Sequence, residues 1–116
     1  MAKRILIIDD DPVVVKYLKT LFEENDYETD SASNGIEGLE KMKADKPDMI
    51  TLDLEMPEEW GSRLYRKMSK DKSLKDIPVI VISGMAGRHA IKSAVAYVAK
   101  PFDPDKLLGI VKKTIG

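Results

Sequence analysis

Short, unbroken apolar blocks alternate along this chain with stretches in which apolar residues recur every three or four positions. The first block, Arg4-Ile5-Leu6-Ile7-Ile8-Asp9, is β-branched, continuously apolar and closed by acid. A strand buried on both faces has this character, which points to a parallel sheet covered by helices. Asp11-Pro12 opens a helix, with Asp as N-cap and Pro at the first helical position. Val14, Leu18, Leu21 and Phe22 share one face of it, and Asn25-Asp26 ends it. Glu28–Ala32 is polar and alternating, the mark of a strand at a sheet edge. Asn34 with Glu37 resembles a capping box, opening a helix that turns Ile36, Leu39 and Met42 inward. Lys46-Pro47 closes that helix, because the residue before proline is driven out of helical geometry.

Met49–Asp53 is a third strand, and Pro57 forces the chain to turn away from the sheet soon after it. A loop, Glu58-Glu59-Trp60-Gly61, precedes a helix marked by Gly61, Leu64, Tyr65 and Met68. A polar connector from Lys70 to Asp76 leads to a fourth strand, Pro78–Ser83, and Ala94–Ala99 gives the fifth. Asp103-Pro104 repeats the capping signal of Asp11-Pro12, and the last helix faces the core with Leu107, Leu108, Val111 and Ile115. Strand and helix alternate from end to end, so the expected fold is an α/β doubly wound sandwich. With no linker, repeat or low-complexity tract, residues 1–116 read as a single domain. One connection is unusual. Ser83 and Tyr97 are separated by 13 residues, whereas a strand–helix–strand crossover takes about 10–12 including its helix. The fourth helix is therefore short or distorted, with Arg88–Ser93 left to form it.

Composition narrows the function. Apolar residues at 43 % and charged residues at 34 % describe a soluble folded chain. A net charge of −1 gives no basic excess for binding nucleic acid. The absence of cysteine removes disulfides, thiolate metal sites and cysteine nucleophiles. No apolar run approaches the roughly 18 residues that span a membrane. Asp9-Asp10-Asp11 cut off Ile5–Ile8 too early for a signal peptide. A cytoplasmic protein is the expectation.

The candidate chemistry lies at the strand ends. Right-handed crossovers bring the carboxyl ends of parallel strands to one edge of the sheet, and ligands bind there in open α/β sheets. Asp9 and Asp10 follow the first strand, Asp53 ends the third, Ser83 ends the fourth and Lys100 follows the fifth. Asp11 is accounted for as a cap. Three neighbouring carboxylates stay ionised most readily around a cation, and an oxygen-only ligand set suits Mg²⁺ rather than zinc. Lys100 supplies a point charge for phosphate and Ser83 a hydroxyl that donates to a phosphoryl oxygen. Asp53 is the candidate nucleophile, since a carboxylate can form an aspartyl phosphate.

The segments ILIIDDDP, DMITLDLEMP, PVIVISG and YVAKPF resemble, in order and across essentially the whole chain, those of the response-regulator receiver domain. This is the CheY-like phosphoacceptor of two-component signalling. The resemblance implies a flavodoxin-like, five-stranded parallel sheet of order 2-1-3-4-5. It implies that Asp53 takes a phosphoryl group from a histidine kinase or a histidine phosphotransfer protein. By the same resemblance, Asp10, Asp53 and the backbone carbonyl of Glu55 hold Mg²⁺, with Asp9 acting through water. Ser83 corresponds to the switch hydroxyl, Tyr97 to the aromatic that turns inward with it, and Lys100 to the conserved-type lysine. The Lys100–Pro101 peptide is expected to be cis, and Glu55 and Met85 fall where the family tunes phosphate lifetime. The downstream effector is left open.

The sequence also departs from the family pattern. The short fourth crossover lies in the region that partners or a second subunit read. Trp60 stands directly before Gly61, and either shields the acyl phosphate or meets a partner, or simply packs on its loop. His89, the one histidine, fits an exposed helix position better than a phosphodonor. Two other functions compete: a phosphorylation-independent pseudo-receiver that serves as an interaction module, and a Mg²⁺-dependent phosphohydrolase. The second lacks the acid–base Asp expected two residues after Asp53, where Glu55 stands. The chain is thus expected to catalyse only its own phosphoryl transfer and dephosphorylation.

Overall fold

The computed structural model describes residues 2–84 and 94–116. The proposed fourth helix, with Met85 and His89, lies outside the described residues. In chain order the elements are β1 (Arg4–Ile8), α1 (Pro12–Glu23), β2 (Glu28–Ala32), α2 (Gly35–Ala44), β3 (Met49–Leu52), α3 (Trp60–Ser69), β4 (Val79–Ser83), β5 (Ala96–Ala99) and α4 (Pro104–Ile115). A single turn of 3-10 helix, Pro57–Glu59, leads into α3. The strands form one sheet in the order β2-β1-β3-β4-β5, and every neighbouring pair is parallel. This is the expected doubly wound, flavodoxin-like arrangement.

The apolar blocks fill both faces because alternate side chains of a strand point to opposite sides. Leu6, Ile8, Ile50, Leu52, Val79 and Val81 pack with Met42 of α2 and Leu64 and Met68 of α3. Ile5, Ile7, Met49, Ile80 and Ile82 pack on the other side with Leu18 and Phe22 of α1 and Leu107 and Val111 of α4. Burying each such side chain contributes about 1.5–3 kcal/mol. β2 and β5 are the edges, as the polar sequence of β2 anticipates.

The capping signals hold. Asp11 Oδ1 accepts from Val13 N, and Asp103 Oδ1 from Asp105 N, each at 2.9 Å. Asn34 Oδ1 accepts from Glu37 N at 2.8 Å, while Glu37 reaches back to Ser33 N at 2.7 Å.

Two expectations need correction. Ile36 does not face inward: it is 55 % exposed. The inward side of α2 is Gly35, Gly38 and Met42. A Cβ on Gly38 would lie 3.0 Å from Ile8 Cδ1, so the helix approaches the sheet along a glycine face, which hydropathy does not register. The connector after α3 is not wholly polar either. It makes tight turns around Asp71 that bury Leu74 against the α2–α3 side of the sheet.

Candidate functional site

The sheet ladder itself sets the acids in place. Asp9 and Asp53 fall one residue past β1 and β3, yet their N–H groups still join neighbouring strands. Asp9 N donates to Ala32 O at 3.1 Å and Asp53 N to Ile8 O at 3.0 Å. Lys100 N donates to Ser83 O at 3.0 Å, which carries the same edge across to β5. The Lys100–Pro101 peptide is cis. Gly61 draws α3 against the same turn, since a Cβ there would lie 2.6 Å from the carbonyl oxygen of Asp53.

One oxygen from each of Asp9, Asp10 and Asp53 lies within 4.8 Å of the others. Asp9 and Asp53 are each only 3 % exposed, while Asp10 is open to solvent. Asp9 has both oxygens engaged: Oδ1 accepts from Asp11 N at 2.9 Å and Oδ2 from Lys100 Nζ at 2.9 Å. Asp53 Oδ1 accepts from Glu55 N at 2.9 Å, and Lys100 Nζ stands 3.7 Å from Asp53 Oδ2. Burial pushes the Asp53 carboxyl up to about 6, with the charges of Asp9 and Glu55 adding to the rise; the Glu55 N–H and Lys100 oppose it. Burial alone would lower the Lys100 ammonium. Its hydrogen bond to Asp9 and the charges of Asp9, Asp53 and Glu55 outweigh this and raise it.

The carboxylates of Asp9, Asp53 and Glu55 therefore all act on the Lys100 ammonium. Asp9, Asp10 and Asp53 offer only oxygen donors, and Asp10 is open to solvent, which fits a hard divalent cation such as Mg²⁺.

The structure thus brings together Asp9, Asp10, Asp53 and Lys100, with Ser83 beside Glu55. Tyr97 lies two residues before the end of β5. It sits on β5 opposite Val81 and is 36 % exposed. Trp60 packs, but against α2 rather than on its own loop. Its ring lies so close to Gly35 of α2 that a Cβ there would meet Trp60 Cε3 at 2.5 Å, and the Arg63 guanidinium sits 5.0 Å from the ring centre. Sequence reasoning missed Gly84 as a donor. Its N–H, with the Ser83 hydroxyl, points at the Glu55 side chain. No sequence signal marks it, because the contact depends on how the turn after Asp53 directs the Glu55 side chain.

Residues 5–112 match the family model described as the response regulator receiver domain. The chain belongs to this family, whose members are signalling modules of two-component systems and work with histidine kinases and effectors. It is 36 % identical over 116 residues to protein Rrf1 of Nitratidesulfovibrio vulgaris, covering 99 % of this chain and 84 % of that protein. Among solved structures, the response regulator TrrA of Thermotoga maritima, in complex with Mg²⁺ and BeF, is 36 % identical with a TM-score of 0.87; the match covers 97 % of this chain and 98 % of that one. A CheY-like receiver domain protein of Methanospirillum hungatei is 29 % identical, with a TM-score of 0.90 and coverage of 99 % and 94 %. Among the described residues no helix is long and apolar enough to cross a membrane.

Proposed function

We propose that residues 1–116 act as one receiver unit that accepts a phosphoryl group on Asp53 from the phosphohistidine of a histidine kinase or phosphotransfer protein. A carboxylate oxygen of Asp53 forms the new bond to phosphorus. The bond from phosphorus to the donor nitrogen breaks, and the imidazole leaves with the electron pair. Asp53 is an oxygen nucleophile that is half ionised at about pH 6 while no cation is bound, and mostly ionised only above it. Lys100 neutralises charge on the transferred group, and the Ser83 hydroxyl donates to one of its oxygens. Asp10, Asp53 and the backbone carbonyl of Glu55 are the groups that would hold Mg²⁺. Asp9, already occupied at both oxygens, suits an indirect role through water. The ion, when bound, supplies charge neutralisation at the phosphoryl oxygens. Ser83 and Tyr97 then carry the change outward to a partner.

The observation that carries this reading is the buried Asp53 held among Asp9, Asp10 and Lys100. With Mg²⁺ and acetyl phosphate, the purified protein should gain the mass of one phosphoryl group, and Asp53→Asn should gain none. Absence of the adduct across Mg²⁺ and donor concentrations would remove the proposal. Partner capture unchanged by Asp53→Asn and by beryllofluoride would instead favour the phosphorylation-independent module.

A further inference from the structure

The Ser83 hydroxyl and the Gly84 N–H converge on one oxygen. Glu55 Oε1 accepts from Ser83 Oγ at 3.3 Å and from Gly84 N at 2.5 Å. A side-chain hydroxyl and a backbone N–H aimed at a single anionic oxygen make up an oxyanion site. Here the chain itself supplies the anion. Glu55 reaches this position because its own N–H is tied to Asp53 Oδ1, which fixes the turn from which its side chain extends. Gly84 leaves room for the contact, since a Cβ there would lie 2.7 Å from Glu55 Oε1.

We propose that Glu55 is a resting occupant of the Ser83–Gly84 oxyanion site, which a phosphoryl group on Asp53 takes only by displacing the Glu55 carboxylate. This rests on Asp53 being the phosphoacceptor. A phosphoryl group brings about two negative charges, and the two donors cannot serve it and a carboxylate together. The free energy of breaking the Glu55 contacts is therefore subtracted from phosphorylation. By linkage, whatever frees Glu55 favours the phosphorylated state to the same degree. Glu55 thus sets how strong a phosphoryl donor must be to charge the domain.

The test uses beryllofluoride with Mg²⁺ as the phosphoryl mimic, titrated into wild type, Glu55→Ala, Gly84→Ala and the double variant. Glu55→Ala should bind about ten-fold more tightly, the scale of one charge-assisted hydrogen bond no longer displaced. Gly84→Ala keeps its N–H and the Glu55 charge but crowds the carboxylate out, so it should tighten binding as well. The double variant should bind no more tightly than Glu55→Ala, because both changes remove the same contact. Without beryllofluoride, Glu55→Ala should move the Gly84 amide proton upfield in the NMR spectrum. Tightening by Glu55→Ala alone would mean simple charge repulsion and overturn the proposal, as would an unmoved Gly84 amide. Equal affinity in all four proteins would overturn the displacement while leaving Asp53 as phosphoacceptor. No binding by any of them would remove the phosphoacceptor, and the displacement with it.

Discussion

At the amino end of the sheet, Arg4 pairs with Asp45, and its N–H donates to Asp48 Oδ2 at 2.7 Å. At the carboxyl end, Asp9 and Asp53 both pair with the Lys100 ammonium, and the charge of Glu55 acts on it as well. Both ends are rich in acid, so acid content alone does not mark a site. Solvation and pairing separate them. The side chain of Asp45 is 75 % exposed, where water solvates the carboxylate and the ion pair adds little. Asp9 and Asp53 are nearly sealed and divide the single charge of Lys100 between them, so their negative charge is only partly balanced. The amino end is ordinary surface. The carboxyl end holds unrelieved electrostatic tension that binding can release.

Four experiments test this contrast, beginning with the largest effect. Lys100→Met removes the cation that pairs with the buried Asp9 and Asp53. Phosphorylation by acetyl phosphate should slow by on the order of a hundred-fold. Urea denaturation without metal at pH 8 should show a loss of about 3 kcal/mol, because two buried carboxylates lose their partner. Asp53→Asn should act in the opposite direction and stabilise the metal-free protein. The folded state holds the Asp53 proton up to about pH 6, against an ordinary value of 3.8. Its contribution to stability is therefore fully present below about pH 4 and lost as pH rises through 6. At pH 8, Asp53→Asn should gain about 3 kcal/mol over wild type, and the gain should vanish near pH 4. Unfolding curves at the two pH values check the sign.

Mg²⁺ comes next. At millimolar concentration and pH 8 it should raise the wild-type melting temperature by several degrees, and by less in Asp53→Asn. Below pH 5 the effect should fade as protons replace the metal. The smallest change belongs to the amino end. Asp45→Asn should shift stability by less than about 1 kcal/mol at any pH. A loss as large as that from Lys100→Met would erase the distinction between the two ends.

Much of this was legible in the chain. Each apolar block became a strand, and the Asp-Pro signals at Asp11 and Asp103 became real caps. Residues chosen for their place after a strand were found at one edge, because chain direction in a parallel sheet leaves them nowhere else. Ile36 was misread because hydropathy scores side chains, and the inward face of α2 is partly glycine. Leu74 was missed because charged neighbours hid a lone apolar residue that the turn carries inward.

For Asp53, the amino-acid sequence by itself determined that a carboxylate ends a central strand with other acids, a hydroxyl and an ammonium at neighbouring strand ends. That follows from periodicity and topology, both local in the chain. Only the tertiary structure decided how those groups are charged and held. Burial raises Asp53, Lys100 chooses Asp9 as its hydrogen-bond partner, and Glu55 crosses 28 residues of sequence to Ser83. Desolvation and side-chain pairing depend on what packs above a residue, and nothing in the spacing of letters along the chain encodes that.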